Sequence, residues 1–153
     1  MIQRIQSLYI LAAIIALGTL FFIDLGQLSG VTGLFNITFY GVVDVTKEVP
    51  TTVTYLFPLA AVLGVTSILA LIDLFLFKNR VLQMRVATIT SALSIACAIL
   101  IPAANIMVAS TLDMEWHLHW SLALPIVAAF LMILAYRRIS DDEALVRSLN
   151  RLR

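Results

Sequence analysis

Residues 55–109 read YLFPLAAVLGVTSILALIDLFLF, then KNRVLQMR, then VATITSALSIACAILIPAANIMVA. Two predominantly apolar runs of 23 and 24 residues flank an eight-residue basic link. A bilayer core takes about 20 apolar residues of helix, so each run is long enough to cross one. A link this short makes the two runs antiparallel neighbours. The stretch reads as a helical hairpin through a membrane, and the rest of the chain is fitted around it.

Two further apolar runs flank this stretch: Ile5 to Ile23, between Arg4 and Asp24, and Leu118 to Tyr136, before Arg137. Spans at 5–23, 55–77, 86–109 and 118–136 predict an all-α membrane fold, a four-transmembrane-helix up-down bundle. The pieces left over are too small for a second domain, so residues 1–153 are read as a single membrane domain. The first run is longer than the roughly 7–15 apolar residues of a signal peptide and has no small-x-small site before Asp24, so it is read as a retained helix. Composition agrees. The chain is 61% hydrophobic and 12% charged, with mean hydropathy +1.02, where soluble domains hold about 45–50% apolar and about 25% charged residues. A 153-residue fold cannot hide that much apolar surface from water. A soluble enzyme, a disordered chain and a nucleic-acid-binding domain are excluded. The single cysteine, Cys97, cannot form an intrachain disulfide.

The charges set an orientation. Arg4, Lys78, Arg80, Arg85, Arg137, Arg138, Arg147, Arg151 and Arg153, nine of the ten basic residues, fall on one side of the four spans. The other side carries Lys47 with Asp24, Asp44, Glu48, Asp113 and Glu115. Basic residues concentrate in cytoplasmic loops, so both termini are expected in the cytoplasm of a bacterial inner-membrane protein.

The connections carry their own patterns. In residues 24–54, Phe35, Ile37 and Phe39 alternate with Asn36, Thr38 and Tyr40, and a β-prone run from Val42 to Val49 follows Gly41. Alternation of period two predicts a small β-hairpin in this first extracytoplasmic loop. The third connection, residues 110–117, is read as a short link. In the tail, residues 137–153, Ser140-Asp141-Asp142-Glu143 has the form of a capping box. Beyond it, Leu145, Leu149 and Leu152 make one stripe, with Arg147 and Arg151 opposite. A short cytoplasmic amphipathic helix is expected, lying on the leaflet or docking a partner.

Three polar motifs stand out from the apolar background: Met1-Ile2-Gln3-Arg4-Ile5-Gln6, Lys78-Asn79-Arg80-Val81-Leu82-Gln83, and Asp142-Glu143-Ala144-Leu145-Val146-Arg147-Ser148-Leu149-Asn150-Arg151-Leu152-Arg153. With the helix layout, they give a chain that resembles, over its whole length, the bacterial four-helix membrane family known as domain of unknown function 4293. That resemblance implies an inner-membrane protein. It carries no established activity, cofactor or catalytic residue.

Ionisable groups inside membrane spans are the first suspects for function. Asp73 is the one acid within a span, near enough to the cytoplasmic end to reach the interface or to pair with Arg80 or Arg4. Asn105 follows Pro102, whose ring frees a backbone carbonyl. Pro125 predicts a kink in the last span, and Pro58 sits where a helix tolerates it. His117 and His119, between Trp116 and Trp120, are weak metal candidates with too few companion ligands. Arg80, Gln83, Leu145, Arg147, Leu149 and Arg151 are the candidate partner-binding residues on the cytoplasmic face. No catalytic triad, phosphate-binding loop or cofactor motif is present.

The sequence thus predicts a non-enzymatic scaffold or accessory subunit of a membrane complex. Its expected partners are the lipid bilayer and a protein, with a homo-oligomer open, and it needs no nucleic acid and no cofactor. The alternative is a small transporter or channel using Asp73 and Asn105, and the third reading a metal-dependent membrane enzyme.

Overall fold

The structure is a computed structural model describing residues 3–30, 33–46, 51–117 and 119–151, with the side chains of 3–4, 78 and 146–151 outside the description. In chain order the elements are α1 (Gln3–Thr19), β1 (Gly26–Gly30), β2 (Gly33–Ile37), β3 (Gly41–Asp44), β4 (Thr51–Tyr55), α2 (Phe57–Phe75), α3 (Arg80–Leu112), β5 (Glu115–His117) and α4 (Ala123–Arg151). The all-α, four-span expectation is therefore corrected. Four helices are joined by a five-stranded antiparallel sheet, in the order β4-β3-β2-β1-β5. Among the described residues three helices, α2, α3 and α4, are long and apolar enough to cross a membrane.

The first apolar run falls short because it is not helical throughout. After Thr19, the N–H groups of Leu20, Phe21 and Phe22 bond the carbonyls three residues back, at 3.0–3.2 Å. This tighter pattern is how a helix closes. Ile23 and Leu25 then lead into the sheet. The 17 residues of α1 extend about 25 Å at 1.5 Å per residue, against a hydrocarbon core of about 30 Å. Hydrophobicity alone does not show where within an apolar run the helix ends and the lead into a sheet begins.

The expected hairpin exists as β2 and β3, with Phe35 and Ile37 buried and Leu34 exposed. It is the middle of something larger. β4 takes up Tyr55, so α2 begins two residues later than the apolar run. Its Pro58 lies in the first turn, where a missing N–H breaks no bond. β5 comes from the supposed short link between α3 and α4, and pairs Gln27 with His117, Leu28 with Trp116 and Ser29 with Glu115. The sheet thus clasps the connection before α2 to the connection after α3.

The separate tail helix is also corrected. α4 runs from Ala123 to Arg151 without a break. Beyond Pro125 the chain holds neither glycine nor proline, and Glu143, Ala144 and Leu145 are good helix formers, so no breaker stops the helix at the motif. Ser140 is an interior residue of α4. Pro125 sits in the first turn and bends nothing.

α1 packs on α2 and α4, and α3 packs on the same two helices. They meet closely through fully buried Ala13, Ala70, Ala87, Ala128 and Ala135, the small side chains that membrane helices use at crossings. Ile10, Leu17, Leu63, Ile101, Met132 and Ile139 fill the middle, and Leu25, Leu28, Ile37 and Val42 cap it from the sheet. The outside is apolar as well. Phe22, Phe57, Phe75 and Met107 are each at least 71% exposed. A water-soluble surface does not carry such patches.

Candidate functional site

Polar side chains gather at the two ends of the helices. At the sheet end, Asn105 and Ser121 converge on one carbonyl. Asn105 Nδ2 donates to Leu25 O at 3.4 Å and to Ile101 O at 3.0 Å, and Ser121 Oγ donates to Leu25 O at 3.4 Å. The Leu25 N–H donates to Ile37 O at 2.6 Å. Asn105 is 1% exposed, and its Oδ1 has no partner among the described residues. It lies so close to β1 that a Cβ on Gly26 would fall on Oδ1. The backbone approach explains the glycine. The carbonyl that Pro102 frees is not what Asn105 answers; it holds the start of the sheet.

The two histidines are parted. His117 Nε2 lies 2.9 Å from Ser29 Oγ across the β1–β5 pair, and His119 Nδ1 lies 3.1 Å from Ser121 Oγ. Among the described residues no three His, Cys, Asp or Glu side chains are placed to share a metal. Asp113 and Glu115 border a cavity of about 540 Å³ with Ser29 and Gly30.

At the opposite end, Gln6 on α1 is 7% exposed and ties the helices together. Its Nε2 donates to Arg138 O at 3.1 Å and to Asp142 Oδ2 at 2.5 Å. Gln83, 5% exposed, donates to the backbone carbonyl of Asp73 at 3.3 Å. It is a clamp between α2 and α3, not a surface residue. Arg80 is half-buried, and Leu145 is 57% exposed on α4. The side chains of Arg147, Leu149 and Arg151, on the last turns of α4, lie outside the described residues. Met84, Ser140, Glu143 and Ala144 line a cleft of about 220 Å³ between α3 and α4.

Asp73 does not reach the molecular surface, and no ion pair joins it to Arg80. It is fully buried, with neither carboxylate oxygen partnered among the described residues. Nor does it share a chamber with Asn105. Gln83 marks the level of Asp73 on α3, and from Gln83 to Asn105 is roughly 33 Å of helix at 1.5 Å per residue. The buried face between them carries Ala87, Thr90, Ser94, Cys97 and Ile101.

Residues 2–152 match the family described as Domain of unknown function (DUF4293). The chain belongs to that family. No curated protein matches it. In this DUF4293 chain the described residues of the three polar motifs collect at the end away from the sheet. The opening motif meets the closing one through Gln6 and Asp142, and the middle motif closes on α2 through Gln83. Gln6 and Asp142 were not among the expected site residues. The available signal was an amide inside an apolar run, since a buried amide in a membrane helix needs a partner. With three helices long and apolar enough to cross a bilayer, the DUF4293 chain is a membrane protein.

Proposed function

We propose that this protein is a non-enzymatic scaffold or accessory subunit of a bacterial inner-membrane complex, and that it holds a protein partner at the end remote from the sheet. The observation that carries the reading is the continuity of α4. The helix leaves its apolar stretch at Tyr136 and runs unbroken to Arg151, about 22 Å further at 1.5 Å per residue. Gln6 braces it at Arg138 and Asp142, and Leu145 stands 57% exposed beyond the brace. A braced helix with an exposed leucine is preorganised for docking, which lowers the entropy cost of association. The concentration of nine of ten basic residues toward this end supports a cytoplasmic location for it and for both termini.

The test is isolation of the full chain from its native membrane, as wild type and as Leu145→Asp. A stoichiometric partner lost in the variant, at unchanged protein level, is the expected result. Equal recovery of every partner by both proteins refutes docking through α4.

A further inference from the structure

α2 ends in a poor place for a carboxylate. Asp73 lies two residues before the last residue of the helix, Phe75, where the macrodipole is negative and disfavours an anion. Its own carbonyl already receives the Leu76 N–H and the Gln83 amide. The side chain is 0% exposed, and both oxygens lack a hydrogen-bond partner among the described residues. An isolated ion taken out of water is strongly penalised unless it is paired and hydrogen-bonded.

Among the described residues the neighbouring elements offer the carboxylate no ion pair. On α3, Arg80 is half-buried and Arg85 exposed, and neither forms an ion pair with Asp73. On α1, the nearest titratable groups in sequence are Tyr9, half-buried, and Arg4. Lys78 lies on the turn between α2 and α3; like Arg4, its side chain is outside the described residues. Gln83 directs its N–H, not an oxygen, toward Asp73, which suits no metal cation. A hard cation such as sodium or calcium wants several oxygen ligands.

We propose that the Asp73 carboxyl is a proton-binding site inside the membrane, loaded in the closed structure and emptied only where the corner between α2 and α3 meets water. Loading forms one O–H bond on the carboxylate from hydronium and leaves water. Unloading returns that proton to water, and no further reactant is required. The neutral acid is compatible with a sealed corner. The anion is drawn toward water or a basic side chain, and Lys78 is five residues on, about 7.5 Å along the chain at helical rise. Proton occupancy thereby couples to the packing of Gln83 against α2.

The experiment is difference infrared spectroscopy of the full-length protein in lipid nanodiscs against Asp73→Asn. At neutral pH the wild type should show the C=O stretch of a protonated carboxyl that the variant lacks. That band should give way to carboxylate stretches in alkaline buffer, and exchanging sodium for choline should leave it unchanged. Carboxylate stretches alone at neutral pH overturn the proposal, because an ion pair with Arg4 or Lys78 would produce them. Loss of the band on adding sodium at fixed pH also overturns it, in favour of a metal cation. The amide matches the neutral acid in shape and charge, so Asp73→Asn should fold with an unchanged thermal midpoint, whereas failure to fold would show that the negative charge is required. Asp73→Glu supplies a second comparison, with a displaced protonated-carboxyl band expected.

Discussion

The sheet end and the opposite end of this molecule solve the same problem differently. Both must bring four helix termini together and satisfy their polar groups. At the sheet end the backbone does the work, through ladders that join β4, β3, β2, β1 and β5. Side chains such as Asn105 and Ser121 only pin the sheet to the helices. At the other end there is no ladder. Two glutamines hold the helices, Gln6 to α4 and Gln83 to α2, while an acid stays unpartnered among the described residues. Backbone ladders are cooperative and leave little to tune. A few side-chain bonds, each worth about 1 kcal/mol net, leave an end that can be rearranged by a partner or a proton.

The largest effect expected is all-or-none. If the two ends face opposite sides of the membrane, an impermeant thiol reagent added to intact cells should label Thr46→Cys, beside the sheet, and spare Asn79→Cys. Labelling of Asn79→Cys from outside would erase the proposed sidedness. Next comes Gly26→Ala. Its new Cβ lands on Asn105 Oδ1, and overpacking of this kind costs about 1–3 kcal/mol. Denaturant unfolding in micelles should show the loss, and Asn105→Ala in the same chain should recover part of it by removing the obstructing atom. Full additivity of the two changes would mean that the contact does not matter.

Gln6→Leu should cost less, about 1–2 kcal/mol, by removing two part-buried bonds and leaving Asp142 without its donor. Hydrogen exchange should quicken in α4 around Arg138 to Leu145, while β1 to β5 stay protected; equal acceleration at both ends would show that they are one cooperative unit. Ser29→Ala should matter least. Its bond to His117 is exposed, and water replaces it at a cost below about 1 kcal/mol. The unfolding midpoint of this variant is the measurement, and a large drop would show that the β1–β5 pair depends on that one contact.

The contrast also separates what the sequence made legible from what it hid. α2 and α3 were legible because long apolar runs flank Lys78 to Arg85, and β2 because Phe35 and Ile37 alternate with polar neighbours. β1 was not. Gly26-Gln27-Leu28-Ser29-Gly30 has no β-branched or aromatic residue, and becomes a strand by pairing with β2 on one side and, on the other, with residues far along the chain. β4, Thr51-Thr52-Val53-Thr54-Tyr55, carried a clear signal that lay hidden against the start of an apolar run. The continuity of α4 was masked because a capping box is built from residues that also suit a helix interior. Asp73 and Asn105 were visible as polar residues in apolar surroundings. Their settings were not, since nearness in sequence suggested a pair with Arg80, and nothing local points Asn105 at Leu25.

The pairing of β1 with β5 has a consequence for biosynthesis. Gln27 must wait for His117, and at about 5–20 residues per second that wait is on the order of 5–18 seconds after Gln27 leaves the ribosome tunnel. Through that interval β1 presents an open edge, the kind that invites pairing with another chain. Release comes only when α3 is in place and β5 arrives behind it. The last strand to be made therefore acts as a latch on a half-built product. A chain stalled before Glu115 stays recognisably unfinished to whatever machinery inspects nascent membrane proteins.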